Sequence, residues 1–167
     1  MYEPNQVLVS VIIGFRDWGL DTLEFVIRTH KLSSLGDQLE VIVSDYGSKD
    51  ADLVRETCEK AGAKVVRTPR AGFPRWNRSA SLNAGVRQGA HGKYILTTDA
   101  DILFHPKTIE TVVQSMENAG RDEKVYGLVQ CRDLPESLPK YWGPSFVSPA
   151  SSFCSLLESS SVPTRLT

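Results

Sequence analysis

The chain has 167 residues, 41% hydrophobic and 23% charged, which is enough for one medium domain with a real core. This composition excludes a multidomain machine, a coiled coil and a collagen-like chain, and Gly 12 and Pro 9 are too few for low complexity. Lys+Arg 19 against Asp+Glu 20 gives a formal charge of -1, which argues against a partner bound mainly through nucleic-acid phosphates.

The chain opens on a polar segment without a secretory pattern, and no apolar run approaches the roughly 20 residues that span a bilayer. A soluble cytoplasmic protein is the expectation. The cysteines Cys58, Cys131 and Cys154 show no metal-like pairing and read as reduced thiols.

Residues 7–13 form a β-branched, nearly continuous apolar run, as in a strand buried on both faces, with Gly14 as its end. Residues 17–32 carry Leu23, Val26, Ile27 and His30 at helical spacing, with Asp17 or Asp21 suited to the first turn. Residues 39–43 are a second strand. Leu53, Val54, Cys58 and Ala61 mark a second helix, with Asp50 as its cap and Gly62 as its close. Residues 63–66 form a short third strand, nearer an edge.

Residues 68–78 break the rhythm with Pro69, Gly72 and Pro74, among Arg67, Arg70, Arg75 and Arg78. A helix from about Arg75 or Asn77 to Gln88 follows, then a fourth strand over 93–97. Pro106 suits the first position of a fourth helix, with Ile109, Val112, Val113 and Met116 as its buried stripe. Residues 125–131 are expected to form a fifth strand. A helix after nearly every strand predicts an α/β fold with a mostly parallel sheet flanked by helices. Ligands of such sheets gather beyond the carboxyl ends of the strands. Residues 132–167, with four prolines between 133 and 149 and a Ser-rich stretch, contain no further confident helix–strand unit.

Asp99-Ala100-Asp101 is the sharpest chemical feature. If strand geometry continues past residue 97, both carboxylates point to one side, where they suit a divalent metal shared with phosphate oxygens. The competing reading is a solvated loop with a capping carboxylate. Asp45, after the second strand, is placed to accept hydrogen bonds from a base or sugar hydroxyl, or to organise the turn with Gly47 and Ser48. The segment 70–78 reads as a phosphate cradle, because arginine binds such anions bidentately. Its rivals are a nucleic-acid contact, with Phe73 and Trp76 stacking on bases, and a basic surface loop. His105 is a candidate third metal ligand. His30 reads as a packed histidine and His91 as a cation at a helix end. There is no G-x-G-x-x-G after the first strand and no P-loop.

The segments VSVII at 9–13, VSDYGSKD at 43–50, NAG at 83–85, AHG at 90–92 and YILTTDAD at 94–101 follow one another in order on the expected elements. Together they resemble the nucleotide-binding portion of a family 2 glycosyltransferase with a GT-A fold, over roughly residues 6–131. The resemblance implies transfer of a sugar from a nucleotide-diphospho-sugar, most often a UDP-sugar, to a glycan or other hydroxyl acceptor, with Mg²⁺ or Mn²⁺ as cofactor. It places Ile13, Asp45, Tyr46, Arg78, Asn83, Asp99 and Ala100 at the donor, and Asp101 and Asp99, with His105, at the metal. Tyr46 stands where the family commonly has a second Asp. Ser81-Leu82 replace the family's Ala-Arg, and Arg78, one helical turn earlier, is the candidate replacement cation. Asp133, Glu136 and Glu158 are acidic candidates for the catalytic base, and none is assigned. Residues 1–131 are thus expected to be a nucleotide-sugar-binding core, and 132–167 a partial acceptor-side region or irregular tail. The length raises the alternatives of a non-catalytic or incomplete nucleotide-sugar module and of a partner chain that completes the acceptor site. A nucleotidyltransferase of similar topology is disfavoured by the lack of its Gly-rich first loop.

Overall fold

The computed structural model describes residues 6–68, 75–119 and 126–129. Four strands form one sheet: β1 (Val9–Phe15), β2 (Leu39–Asp45), β3 (Lys64–Arg67) and β4 (Tyr94–Thr98). Their spatial order is β3-β2-β1-β4 and every pairing is parallel. The helices are α1 (Leu20–His30), α2 (Ala51–Ala61), α3 (Arg78–Gly89) and α4 (Thr108–Asn118), with a 3₁₀ turn at Gly36–Gln38. This is the α/β parallel architecture expected from the alternation of elements. β3 is short and lies at an edge, also as expected.

The sheet separates two cores. Val9, Val11, Ile13 and Phe15 of β1 pack with Leu39, Val41 and Val43 of β2 against apolar residues of α1, α2 and α4. On the other face Ile12 and Ile42 meet Leu82 and Val86 of α3. The mostly apolar runs in β1 and β2 therefore have a direct cause, since both strands are covered on both sides.

Several boundaries differ from expectation. β1 runs through Gly14 to Phe15. A Cβ at Gly14 would stand 3.4 Å from both Ser81 Oγ and the Trp76 ring, so the glycine leaves room for the start of α3 rather than breaking the strand. α1 begins at Leu20, not 17, because Asp17 lies in the left-handed region (φ 48) and turns the chain first. Pro106 sits in the turn before α4, where its carbonyl accepts the Ser34 N–H at 3.0 Å and Thr108 N–H reaches His105 O at 2.8 Å. Residues 126–129 of the expected fifth strand are not a strand; Tyr126 and Leu128 are exposed, so apolar content alone misled there. Residues 125, 130 and 131 lie outside the described residues, as do 132–167 with Cys131 and Cys154.

The helix ends follow local chemistry. Asp50 Oδ1 accepts the Leu53 N–H at 3.0 Å as the cap of α2, and Gly62 closes that helix with φ 91. Asn77 Oδ1 accepts the Ala80 N–H at 3.0 Å and fixes the start of α3. Cys58 is a buried free thiol; burial first, then the charges of Asp45 and Glu59, push its pKa up to about 12. Among the described residues no helix is long and apolar enough to cross a membrane.

Candidate functional site

The carboxyl ends of the strands share one edge, and β1 lies where the strand order reverses from β2 to β4. That reversal opens a crevice in parallel α/β sheets. α3 approaches the sheet closely because two of its sheet-facing positions are glycines. A Cβ on Gly85 would fall 2.6 Å from Ile12 Cγ2, and one on Gly89 2.9 Å from Val66 Cγ2. One turn before Gly85, Ser81 and Ser44 exchange two bonds: Ser44 Oγ donates to Ser81 O at 2.6 Å, and Ser81 Oγ donates to Ser44 O at 2.7 Å. Both serines are fully buried, so the first turn of α3 is fastened to the end of β2.

Asp45 closes β2 and is 1% exposed. Its Oδ1 accepts the Ser48 N–H at 2.9 Å, and its Oδ2 is paired with the Arg67 guanidinium. Arg67 also donates to Ser48 O at 3.0 Å. Asp45 thus organises its turn, as one of its two sequence readings held. Sequence reasoning grouped Arg67 with the other arginines and missed this pairing. The parallel register that sets Asp45 beside Arg67 becomes visible only once β3 is known to flank β2.

Tyr46 is buried, and its ring meets Trp76 edge-on at 5.9 Å. Trp76 is half-exposed above Gly14. The β1–α1 and β2–α2 connections are clasped together as well. Asp17 Oδ1 accepts the Lys49 N–H at 2.7 Å, and Asp17 N–H donates to Ser48 Oγ at 3.0 Å. An open depression of about 270 Å³ beside this clasp is lined by Phe15, Asp17, Trp18, Ser48 and Asp50, among others.

Arg78 and Asp99 are brought together directly. Arg78 Nε donates to Asp99 Oδ1 at 2.7 Å, and both side chains are about half-exposed. β4 ends at Thr98 and residues 99–102 turn, with Ile102 N–H facing Asp99 O at 3.4 Å. The expected strand geometry therefore does not continue into Asp101, although Asp99 and Asp101 are both exposed beyond the end of β4. Asn83 is exposed on α3. Ile13 and Ala100 are buried in the apolar core.

His105 Nδ1 accepts the Lys107 N–H at 3.2 Å. Among the described residues no three His, Cys, Asp or Glu side chains form a group able to hold a metal, so the expected trio of Asp99, Asp101 and His105 is not assembled. The two exposed carboxylates are donors of the chemical kind that a Mg²⁺- or Mn²⁺-type ion takes. Such hard cations take oxygen donors, and one or two carboxylates suffice when phosphates and water complete the shell. Residues 70–74 of the arginine segment, and Asp133, Glu136 and Glu158, lie outside the described residues.

The model of Glycosyl transferase family 2 matches residues 10–148. The chain belongs to this family. The match takes in all four strands, save Val9 at the start of β1, and the Asp99–Asp101 turn. The mannosyltransferase PcManGT from Pyrobaculum calidifontis, solved with GDP-Man and Mn²⁺, is 27% identical with a TM-score of 0.52, over 67% of this chain and 33% of that one. TarS from S. aureus is 22% identical with a TM-score of 0.54, over 78% of this chain and 23% of that one, and shares the fold. The chain thus spans a third or less of the length of these two proteins. No curated protein matches it significantly.

Family membership gives a second meaning to the glycines at 85 and 92. Gly92 follows α3, where a Cβ would stand 2.5 Å from Ser10 N and 2.7 Å from Val9 C. In this member of the family, the NAG and AHG segments carry their glycines because α3 and its exit lie against β1.

Proposed function

We propose that the chain is the donor-binding part of a glycosyltransferase that takes a sugar from a nucleotide-diphospho-sugar to a hydroxyl acceptor. What supports this reading most is the Arg78–Asp99 pair, next to Asp101 after the carboxyl end of β4 in a parallel sheet of a family 2 chain, with Asp45 as the last residue of β2. Asp45, held by Arg67 and Ser48, and Tyr46 with Trp76 would bound the nucleoside. Arg78 and the exposed Asn83 would face the diphosphate and sugar, with Ile13 and Ala100 holding the strand ends from the core side. Asp99 and Asp101 would hold Mg²⁺ or Mn²⁺. When bound, that ion neutralises charge on the departing diphosphate. The resemblance favours UDP, while the Pyrobaculum relative was solved with GDP-Man, so both nucleotides belong in the test.

Calorimetric titration of UDP- and GDP-sugars with and without Mn²⁺, followed by assays of sugar release and transfer, tests the reading. Metal-dependent binding with transfer is expected of the full activity. Metal-dependent binding without turnover identifies a non-catalytic or incomplete module, or one completed by a partner chain. Asp101→Ala is expected to abolish metal-dependent nucleotide retention; undiminished metal dependence would remove Asp101 from the site.

A further inference from the structure

The Arg78–Asp99 ion pair carries an inference that rests on this donor-site reading and goes beyond it. We propose that Arg78 is a positioning residue that occupies Asp99 until a diphosphate arrives, so that metal and nucleotide bind cooperatively by exchanging partners across one ion pair.

Arg78 is the first residue of α3, and no acidic residue lies in that helix's first turn. The amino end of a helix carries partial positive charge, so a guanidinium there is disfavoured without an anion nearby. Asp99 supplies the anion, through a 2.7 Å bond that crosses from α3 to the end of β4. The same carboxylate is one of only two that the Asp99–Asp101 turn offers a divalent cation. A cation arriving alone must draw Asp99 from Arg78 and leave that guanidinium against the helix terminus. A nucleoside diphosphate changes this balance. Its phosphate oxygens provide bidentate anionic acceptors for Arg78, and its diphosphate also ligates the metal. Each ligand thereby favours the opened pair that the other needs.

Linkage makes such coupling reciprocal: the nucleotide must raise metal affinity by the same factor as the metal raises nucleotide affinity. Coupling between sites typically amounts to roughly 5–150-fold. Because the pair is half-exposed and screened, the low end, about fivefold, is expected.

The test uses the full chain and Mn²⁺ as probe, followed by electron paramagnetic resonance of free Mn²⁺, with UDP and GDP as diphosphates. Arg78→Gln is expected to bind Mn²⁺ alone about fivefold more tightly than the parent chain, and to lose about that factor of the coupling, the part due to direct ligation of the metal by the diphosphate remaining. Arg78→Lys keeps a charge without the Nε geometry and should fall between the two. Asp99→Asn should weaken Mn²⁺ binding with or without nucleotide. Thermal melts establish that each variant is folded. Mn²⁺ affinity in Arg78→Gln equal to or below that of the parent overturns the inference, as does undiminished coupling in that variant. If neither UDP nor GDP binds the parent chain, the donor-site reading fails, while the Mn²⁺-only comparison still decides whether Arg78 guards Asp99.

Discussion

Glu40 shows how a single buried charge is made tolerable. It is the second residue of β2 and is 7% exposed. Ser10 Oγ donates to its Oε1 at 2.6 Å, the His91 N–H to the same oxygen at 2.7 Å, and Lys64 Nζ to its Oε2 at 2.8 Å. The Gly92 N–H donates to Ser10 Oγ at 2.8 Å, so one carboxylate gathers β1, β2, β3 and the exit of α3 at the sheet's amino end. Burial alone would raise its pKa, but the bonds from Lys64, Ser10 and the His91 N–H outweigh it and bring the carboxyl down to about 2. A depressed carboxylate contributes stability fully above its unfolded value near 4.5, and that stability is lost as pH falls through about 2. Glu40→Gln removes the charge and presents an amide N–H₂ to groups that are themselves donors. It is expected to cost about 1–3 kcal/mol at neutral pH. The difference between the parent and variant melts should shrink steadily as pH drops below about 4.5. A difference that does not change with acid would show that the network draws nothing from the ionised form.

At the scale of elements, α3 is the part most constrained by close approach. Alanine is ordinarily favoured over glycine in a helix interior by about 1 kcal/mol. At Gly85 that preference should reverse. A new Cβ would lie 2.6 Å from Ile12 Cγ2 and 3.1 Å from Ser44 Cβ, and both partners belong to buried strands. The Ser44–Ser81 exchange holds the helix against retreat. Gly85→Ala is therefore expected to destabilise by about 1–3 kcal/mol in chemical denaturation, the usual cost of overpacking. A stabilised variant would mean that α3 can slide outward freely. The sequence made the four strands, the four helices and their order legible, because β1 and β2 are covered on both faces and are mostly apolar, interrupted only by Ser10 and Glu40 before their last two residues. It did not make legible what depends on neighbours distant in sequence. Gly14 reads as a strand end until α3 is known to pass over it. Asp45 reads as either a nucleoside contact or a turn organiser, and its pairing with Arg67 is hidden until β3 is set beside β2. Residues 126–129 read as a strand from apolar content, which does not reveal that Tyr126 and Leu128 are exposed. Within the site, the Asp99–Asp101 spacing was legible, whereas the bond from Arg78 requires the start of α3 to meet the end of β4.

For the whole molecule, the candidate site joins elements otherwise tied through the sheet. Asp45 ends β2, Arg78 starts α3, and Asp99 and Asp101 follow β4. A ligand that touches all three groups binds only when they are assembled, so it must stabilise the folded state by linkage. At a hundredfold excess over the dissociation constant that stabilisation is about 2.7 kcal/mol. In a chain of this length it corresponds to a rise in Tm on the order of 5–10 °C. Under the proposed function, Mn²⁺ with a nucleoside diphosphate should raise Tm by more than the sum of the two added separately, since each completes the other's contacts. Asp101→Asn should abolish the metal-dependent part of the shift and leave the melt without ligands nearly unchanged, because Asp101 is exposed and lies in a turn. Glu40→Gln should do the opposite: it lies at the amino end of the sheet, so it should lower the melt without ligands and preserve the ligand-induced rise. A ligand shift lost equally in both variants would mean that it reports overall stability rather than occupation of the carboxyl edge. That outcome would separate the fold of this family 2 chain from the donor site proposed on it.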